Sequence, residues 1–241
     1  MLEQVDIHSY IENYEQAISN DHEVIQNSSY TLHKKCNVSK VKFLVKQNHR
    51  NNIIKIGKNS NASFVVKITG NNNYLYIGNN CRLEGLTINI KGNNLSVIIG
   101  NNVTCSGNGL LAVGQNSPPT NANLLIGDDV MMAKNVSIFT SDNHPIYDMQ
   151  TKQRINNPSK NVIIEPHVWL GQDVTVLKSV VVGACSIIGS AALVTKDIQR
   201  CALAAGAPAK LIKENVFWSR NESKVSKDEA SKYINKFTCS Y

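Results

Sequence analysis

Ile164-Glu-Pro-His-Val-Trp, Leu170-Gly-Gln-Asp-Val-Thr, Val176-Leu-Lys-Ser-Val-Val, Val182-Gly-Ala-Cys-Ser-Ile, Ile188-Gly-Ser-Ala-Ala-Leu and Val194-Thr-Lys-Asp-Ile-Gln follow one another without a break. Each hexad opens on an aliphatic residue. The fifth place is small or aliphatic throughout (Val168, Val174, Val180, Ser186, Ala192, Ile198), and the second is Gly171, Gly183 or Gly189 in three of them. A helix would repeat its apolar face every three to four residues and a half-buried strand every two. A strict six is therefore a short strand plus a fixed corner, and three such units make one triangular coil. The inward aliphatics of each coil stack on those of its neighbours, and Gly or Asn lets the backbone turn at the corners.

The pattern continues upstream in looser form. Ile56-Gly-Lys-Asn59, Ile77-Gly-Asn-Asn80, Ile99-Gly-Asn-Asn102 and Ile126-Gly-Asp-Asp129 recur at intervals of 21, 22 and 27 residues. Asn71-Asn-Asn73 and Gly92-Asn-Asn94 supply residues that tolerate left-handed backbone angles. One all-β solenoid of parallel strands is expected over residues 51–200, interrupted at Gln115 to Thr120 and by a protruding loop over residues 139–161. Residues 1–50 read as a helical or extended cap, and residues 201–241 as a C-terminal segment with helices. Ser9 with Glu12, and Ser226 with Glu229, form capping-box signatures ahead of apolar stripes at Tyr10 to Ile18 and Tyr233 to Phe237.

At 241 residues the chain can bury a substantial core, and the repeat leaves little room for a second globular domain. No stretch reaches the length of an apolar membrane span, and Met1 to Asn20 carries acidic residues without an apolar signal core, so a cytoplasmic protein is expected. None of the six cysteines lies in a Cys-x-x-Cys pair, and Cys81 and Cys105 fall on inward positions, which predicts buried thiols and no metal site. The formal charge of +7 favours an anionic partner, with Lys34, Lys35, Lys40, Lys42, Lys46 and Arg50 as the densest basic stretch. That stretch holds a single aromatic, Phe43, and no recognised nucleic-acid module, which argues against nucleic acid. An acidic coenzyme or an acidic glycan accounts for the charge as well.

The longest break in register carries Thr140-Ser-Asp-Asn-His-Pro-Ile-Tyr-Asp148. A loop of this length in a tight solenoid asks for a function. Pro145 restricts His144 to extended conformations, and histidine is the side chain suited to act as a base near neutrality. Asp142 and Asp148 flank it as candidate orienting carboxylates. Trp169 occupies the sixth place of its hexad, which points outward, so core packing does not account for it. His167 in the same hexad reads as a surface residue.

With its [Leu/Ile/Val]-Gly-x-x-[small]-x hexads the chain resembles the hexapeptide-repeat acyltransferases, and more closely their bacterial capsule and polysialic acid O-acetyltransferase branch. The resemblance implies a left-handed parallel β-helix, an exception to right-handed crossovers. It implies acetyl-CoA as co-substrate and a sugar hydroxyl of a surface glycan as acceptor, with His144 as general base and Trp169 as a second catalytic position. The backbone from Trp169 to Gly171 becomes a candidate oxyanion donor. Ser190 to Lys196 and Ala205-Gly-Ala-Pro-Ala-Lys210 resemble coenzyme A segments, implying cofactor contacts from Gly171, Ser190, Thr195, Lys196 and Lys210. A homotrimer with active sites shared between subunits is also implied. An N-acetyltransferase of an amino-sugar nucleotide, an acetyltransferase for maltose or a xenobiotic, and a non-enzymatic scaffold are the alternatives.

Overall fold

The computed structural model describes residues 23–115, 122–156 and 160–220, together with 231 and 235. Its strands form three flat faces wound around one apolar column. The first face stacks Tyr30–Lys34, Asn52–Ile56, Tyr74–Ile77, Ser96–Ile99, Leu124–Ile126, Val162–Ile164 and Val181–Val182, all parallel. The second carries Thr104–Cys105, Met131–Met132, Trp169–Leu170, Ile187–Ile188 and Leu203–Ala205. The third carries Lys42–Val45, Leu110–Gly114, Ser137–Phe139, Thr175–Val176 and Leu193–Val194. Two long strands, Asn61–Thr69 and Arg82–Lys91, bend from the second face into the third and join the two into one sheet. Gly85 makes the bend possible in the latter: its φ is +60°, and a Cβ there would lie 2.8 Å from the Asn108 nitrogen.

The hexad reading holds at every opening position. Ile164, Leu170, Val176, Val182, Ile188 and Val194 are all fully buried, and so are their upstream counterparts Ile56, Ile77, Ile99 and Ile126. The parallel stack begins earlier than the expected residue 51, because Leu32 already packs inward although its coil lacks the Ile-Gly-x-Asn signature. Both ends carry antiparallel strands: Glu23–Gln26 against Tyr30–Lys34, and Lys210–Lys213 against Leu203–Ala205. The helices expected at Ser9 to Ile18 and at Ser226 to Phe237 lie outside the described residues, apart from Ser231 and Asn235, whose backbone is helical. No helix among the described residues is long and apolar enough to cross a membrane.

The corners bear out the expectation for asparagine and not for the hexad glycines. The hexad glycines are there because the next coil comes too close for a side chain; a Cβ on Gly78 would lie 2.6 Å from the Gly100 carbonyl. The left-handed conformation is taken two residues later by Asn59, Asn80, Asn102, Asp129, His167, Cys185 and Cys201, one per coil at the same corner. Asparagine is favoured at the corners through ladders: at the first–second corner Asn79 and Asn101 each accept the backbone N–H one coil above (2.9 Å), and at the third–first corner side-chain amides link Asn51, Asn72 and Asn94 at 3.2 Å. The asparagine content is thus a structural requirement of the corners.

Cys81, Cys105 and Cys185 are buried as free thiols, while Cys36 and Cys201 are partly exposed. Burial pushes the Cys81 and Cys185 thiols up to about 12. Above the ordinary thiol value near 9, the unfolded chain releases protons that the native chain keeps, so stability falls as pH rises from there toward about 12. At pH 8, a thiol-specific reagent is expected to spare Cys81 and Cys185 in the native protein and to modify them on unfolding, read by mass spectrometry.

Candidate active site

The loop leaves the coil at the corner between the third and first faces. Its base is fastened by the first two residues of the Thr-Ser-Asp-Asn-His motif. Buried Thr140 accepts the Gly114 N–H (2.9 Å), and the buried Ser141 hydroxyl donates to Gln115 Oε1 (2.8 Å). The third residue, Asp142, binds Lys178 of the next coil at 3.0 Å and accepts the Asn156 amide at 2.7 Å. Asn143 has φ +61°, which turns the chain so that His144 N donates to the Asp142 carbonyl (2.8 Å). Asn156 also donates to the His144 carbonyl (3.0 Å) and accepts the Ile146 N–H (2.8 Å), clamping the backbone on both sides of His144. The imidazole itself is exposed, and among the described residues nothing hydrogen-bonds it.

Asp142 is therefore committed to Lys178 and Asn156. Asp148 accepts from Thr151 N (2.6 Å), Gln150 N and the Thr151 hydroxyl, and the Thr151 N–H in particular holds its carboxyl below the ordinary range. The two carboxylates shape the loop around the histidine. Sequence reasoning missed Asn156, twelve residues beyond His144. Past His144 the loop closes into a small hairpin through the Tyr147–Arg154 bridge. It presents Ile146, Tyr147, Met149 and Ile155 to solvent, Met149 at 85%.

Trp169 lies on the outward side of the second face between Met131 and Ile187 and is 37% exposed, as its hexad place requires. The backbone expected to offer an oxyanion donor is taken: the N–H groups of Trp169 and Gly171 donate to the Ser186 and Ile188 carbonyls (2.9 and 2.8 Å) in the coil stack. That leaves the indole N–H of Trp169 as the donor this segment can offer, and no described residue accepts it. Within one chain, His144 at the third–first corner and Trp169 on the second face are on different sides of the triangle.

The coenzyme candidates gather at the last coil. Ser190, Thr195 and Lys196 are exposed at its corners, and Lys210 is exposed on the terminal hairpin. Leu193 N donates to the Gly206 carbonyl (3.0 Å) and Ala209 N to the Leu193 carbonyl (2.8 Å), which lays the Ala205–Lys210 turn against the strand between Ser190 and Thr195. Gly171 is buried. A Cβ there would meet Ile188 O and Ser190 N at 2.8 Å, so its part is to let the Ser190 corner approach.

His167, expected at the surface, is fully buried. The chain after the terminal hairpin climbs the first–second corner as a strap and covers it. Val216 N donates to the Cys201 carbonyl (2.9 Å). Trp218 stacks on the His167 ring at 4.2 Å and 3°, and its indole N–H donates to the His167 carbonyl at 2.7 Å. Arg220 reaches Asp129 Oδ1 (2.8 Å), the Asn102 and Asp129 carbonyls and the Thr104 hydroxyl. The His167 ring places Nδ1 on Asp129 Oδ2 (2.7 Å) and Nε2 on the Trp218 carbonyl (2.9 Å). Both ring nitrogens thus face oxygen acceptors. Burial acts to raise the Asp129 carboxyl, but the hydrogen bonds from His167 and Arg220 outweigh it and hold the group below its ordinary value.

A β-helix of hexad coils is the architecture expected of the hexapeptide-repeat class, and comparison with known proteins agrees. No family model matches the chain. It is 40% identical over 100 residues to the polysialic acid O-acetyltransferase of Escherichia coli O1:K1 / APEC, covering 42% of this chain and 32% of that one. It is 37% identical over 118 residues to the polysialic acid O-acetyltransferase of Neisseria meningitidis, covering 48% and 52%. The alignments thus span about half or less of these curated relatives. Among solved structures, the polySia-specific acetyltransferase NeuO superposes with a TM-score of 0.59 at 30% identity over 81% of this chain and 97% of that one. The polysialic acid O-acetyltransferase OatWY superposes at 0.69 and 28% identity over 88% and 100%. The chain belongs to the hexapeptide-repeat acyltransferases, and within them it resembles the capsule O-acetyltransferases.

Proposed function

We propose that this protein transfers an acetyl group from acetyl-CoA to a sugar hydroxyl of a bacterial surface glycan, sialic acid-containing capsule being the favoured acceptor. The observation that carries the reading is the clamped backbone and exposed imidazole of His144, in a loop whose residues match the motif of the branch. His144 takes the hydroxyl proton as the oxygen attacks the thioester carbonyl. The tetrahedral oxyanion receives a hydrogen bond from the Trp169 indole N–H. Collapse breaks the carbon–sulfur bond, and the imidazolium returns its proton to the departing thiolate. Ser190, Thr195, Lys196 and Lys210 hold the coenzyme along the last coil, the lysines facing its phosphates.

His144 and Trp169 lie on different sides of one triangle, so they meet when the loop of one subunit reaches the second face of the next. The exposed Ile146, Tyr147, Met149 and Ile155 of the loop support that packing, in a homotrimer of left-handed β-helices. A cytoplasmic location fits a reaction that draws on acetyl-CoA. The test is acetyl-CoA consumption against polysialic acid, short sialosides, neutral oligosaccharides, amino-sugar nucleotides and chloramphenicol. Activity on a sialic acid polymer, with a product ester cleaved by mild hydroxylamine, is the expected result; an amide product or activity confined to chloramphenicol overturns it.

A further inference from the structure

We propose that Trp218 is a positioning residue for Trp169, the C-terminal strap acting as the wall that fixes the outward indole of the acyl-transfer site. The proposal rests on the role given to Trp169 above. Trp169 stands on a strand of two residues and points away from the core, so the coil fixes its backbone but leaves its side chain uncovered on one side. The Trp218 ring lies beside it, its centroid 6.0 Å away and its plane tilted by 51°, a geometry in which aromatic pairs attract.

Trp218 is itself held from several directions. It is 5% exposed and lies parallel to the His167 ring. Its indole N–H and its carbonyl are both bonded to His167, and the Arg220 guanidinium sits 5.4 Å from its ring. Asp129 ties His167 and Arg220 together from the coil above. The strap passes several coils, yet it places its tryptophan at the hexad that carries Trp169, and His167 and Trp169 belong to that same hexad. Sites of this kind need side chains held to within about half an ångström by locked neighbours.

The chain has two tryptophans, and the pair reports on itself. Two indoles this close and this tilted are expected to give an exciton couplet in the far-ultraviolet circular dichroism of the native protein, absent from both Trp169→Phe and Trp218→Phe. In the acceptor assay, Trp218→Ala is expected to lower kcat about tenfold or more at a temperature well below its unfolding midpoint, with coenzyme binding retained. Trp218→Phe, which keeps a ring between His167 and Trp169, is expected to recover most of that loss. A merely structural Trp218 would lower the midpoint of Trp218→Ala and leave kcat alone. Native protein without a couplet overturns the proposal, as does Trp218→Ala turning over normally while Trp169→Ala does not. If Trp169→Ala itself turns over normally with the couplet present in the native protein, the site assignment of Trp169 is wrong and the contact between the rings stands. Should Trp218→Ala fail to fold, the couplet and the Trp218→Phe rate still decide.

Discussion

His144→Ala lowers acetyl transfer by roughly 10²–10⁴-fold, the range over which a positioned general base contributes. Coenzyme affinity and the unfolding midpoint stay near those of the native protein, because the imidazole is exposed and the loop is fastened by other groups. Thr140, Ser141, Asp142 and Asn156 hold the loop through its base and backbone, so removing the ring removes the proton acceptor alone. A loss confined to kcat, with the coenzyme dissociation constant unchanged in a direct binding assay, is the pattern of a group acting in the transition state. Near-normal turnover by this variant would remove His144 from the mechanism.

Arg200→Met destabilises the fold by about 3 kcal/mol, the low end of the cost of breaking a buried ion pair, because Glu165 is buried while the Arg200 side chain is 28% exposed. Glu165 takes the hexad place that is glycine in the coil above and the coil below, and its side chain is 1% exposed. Its two oxygens meet Arg200 Nε and Nη2, each at 2.7 Å, and Oε2 also accepts the Ala184 N–H at 2.8 Å. Met keeps most of the apolar stem and takes away the fork, so the carboxylate stays behind with one backbone donor. In a chain of this size the midpoint of thermal unfolding should fall by about 10 °C. The paired replacement Glu165→Leu with Arg200→Met should recover most of the loss. Equal destabilisation by the single and the double variants would show that packing at the corner, and not the charge pair, sets the effect.

The fold could be read in the sequence because each coil is a local instruction. An aliphatic every six residues fixes which side faces inward, and one repeat constrains the next. The same register put Trp169 outside and marked the 139–161 segment as an insertion, which the structure places at a single corner. The same repeat positions also explain why Cys81 and Cys105 are inside. The corner that holds His167, Asp129, Trp218 and Arg220 was not legible, because its contacts join residues 38, 51 and 91 positions apart. Part of it was available in the register: Ile126-Gly-Asp-Asp129 and Ile164-Glu-Pro-His167 align place for place, which sets the histidine directly below the aspartate. What no register could supply was the returning tail, whose aromatic and basic residues carry no period. The hexad glycines were assigned a conformational task that the non-glycine corner residues perform, because the sequence does not show how closely successive coils approach.

In a stack where each rung touches only its neighbours, the last rung is free to fray, and fraying propagates inward one rung at a time. Tying Cys201 at the bottom to Asn102 and Thr104 higher up changes that behaviour. The terminal rung cannot peel away unless Trp218 leaves His167 and Arg220 leaves Asp129, so the lower coils open as one cooperative block. The rung that bears the proposed coenzyme segment and the rung that bears Trp169 are thereby kept in the same folded unit, and partial melting of the C-terminal end cannot separate them without first detaching the tail.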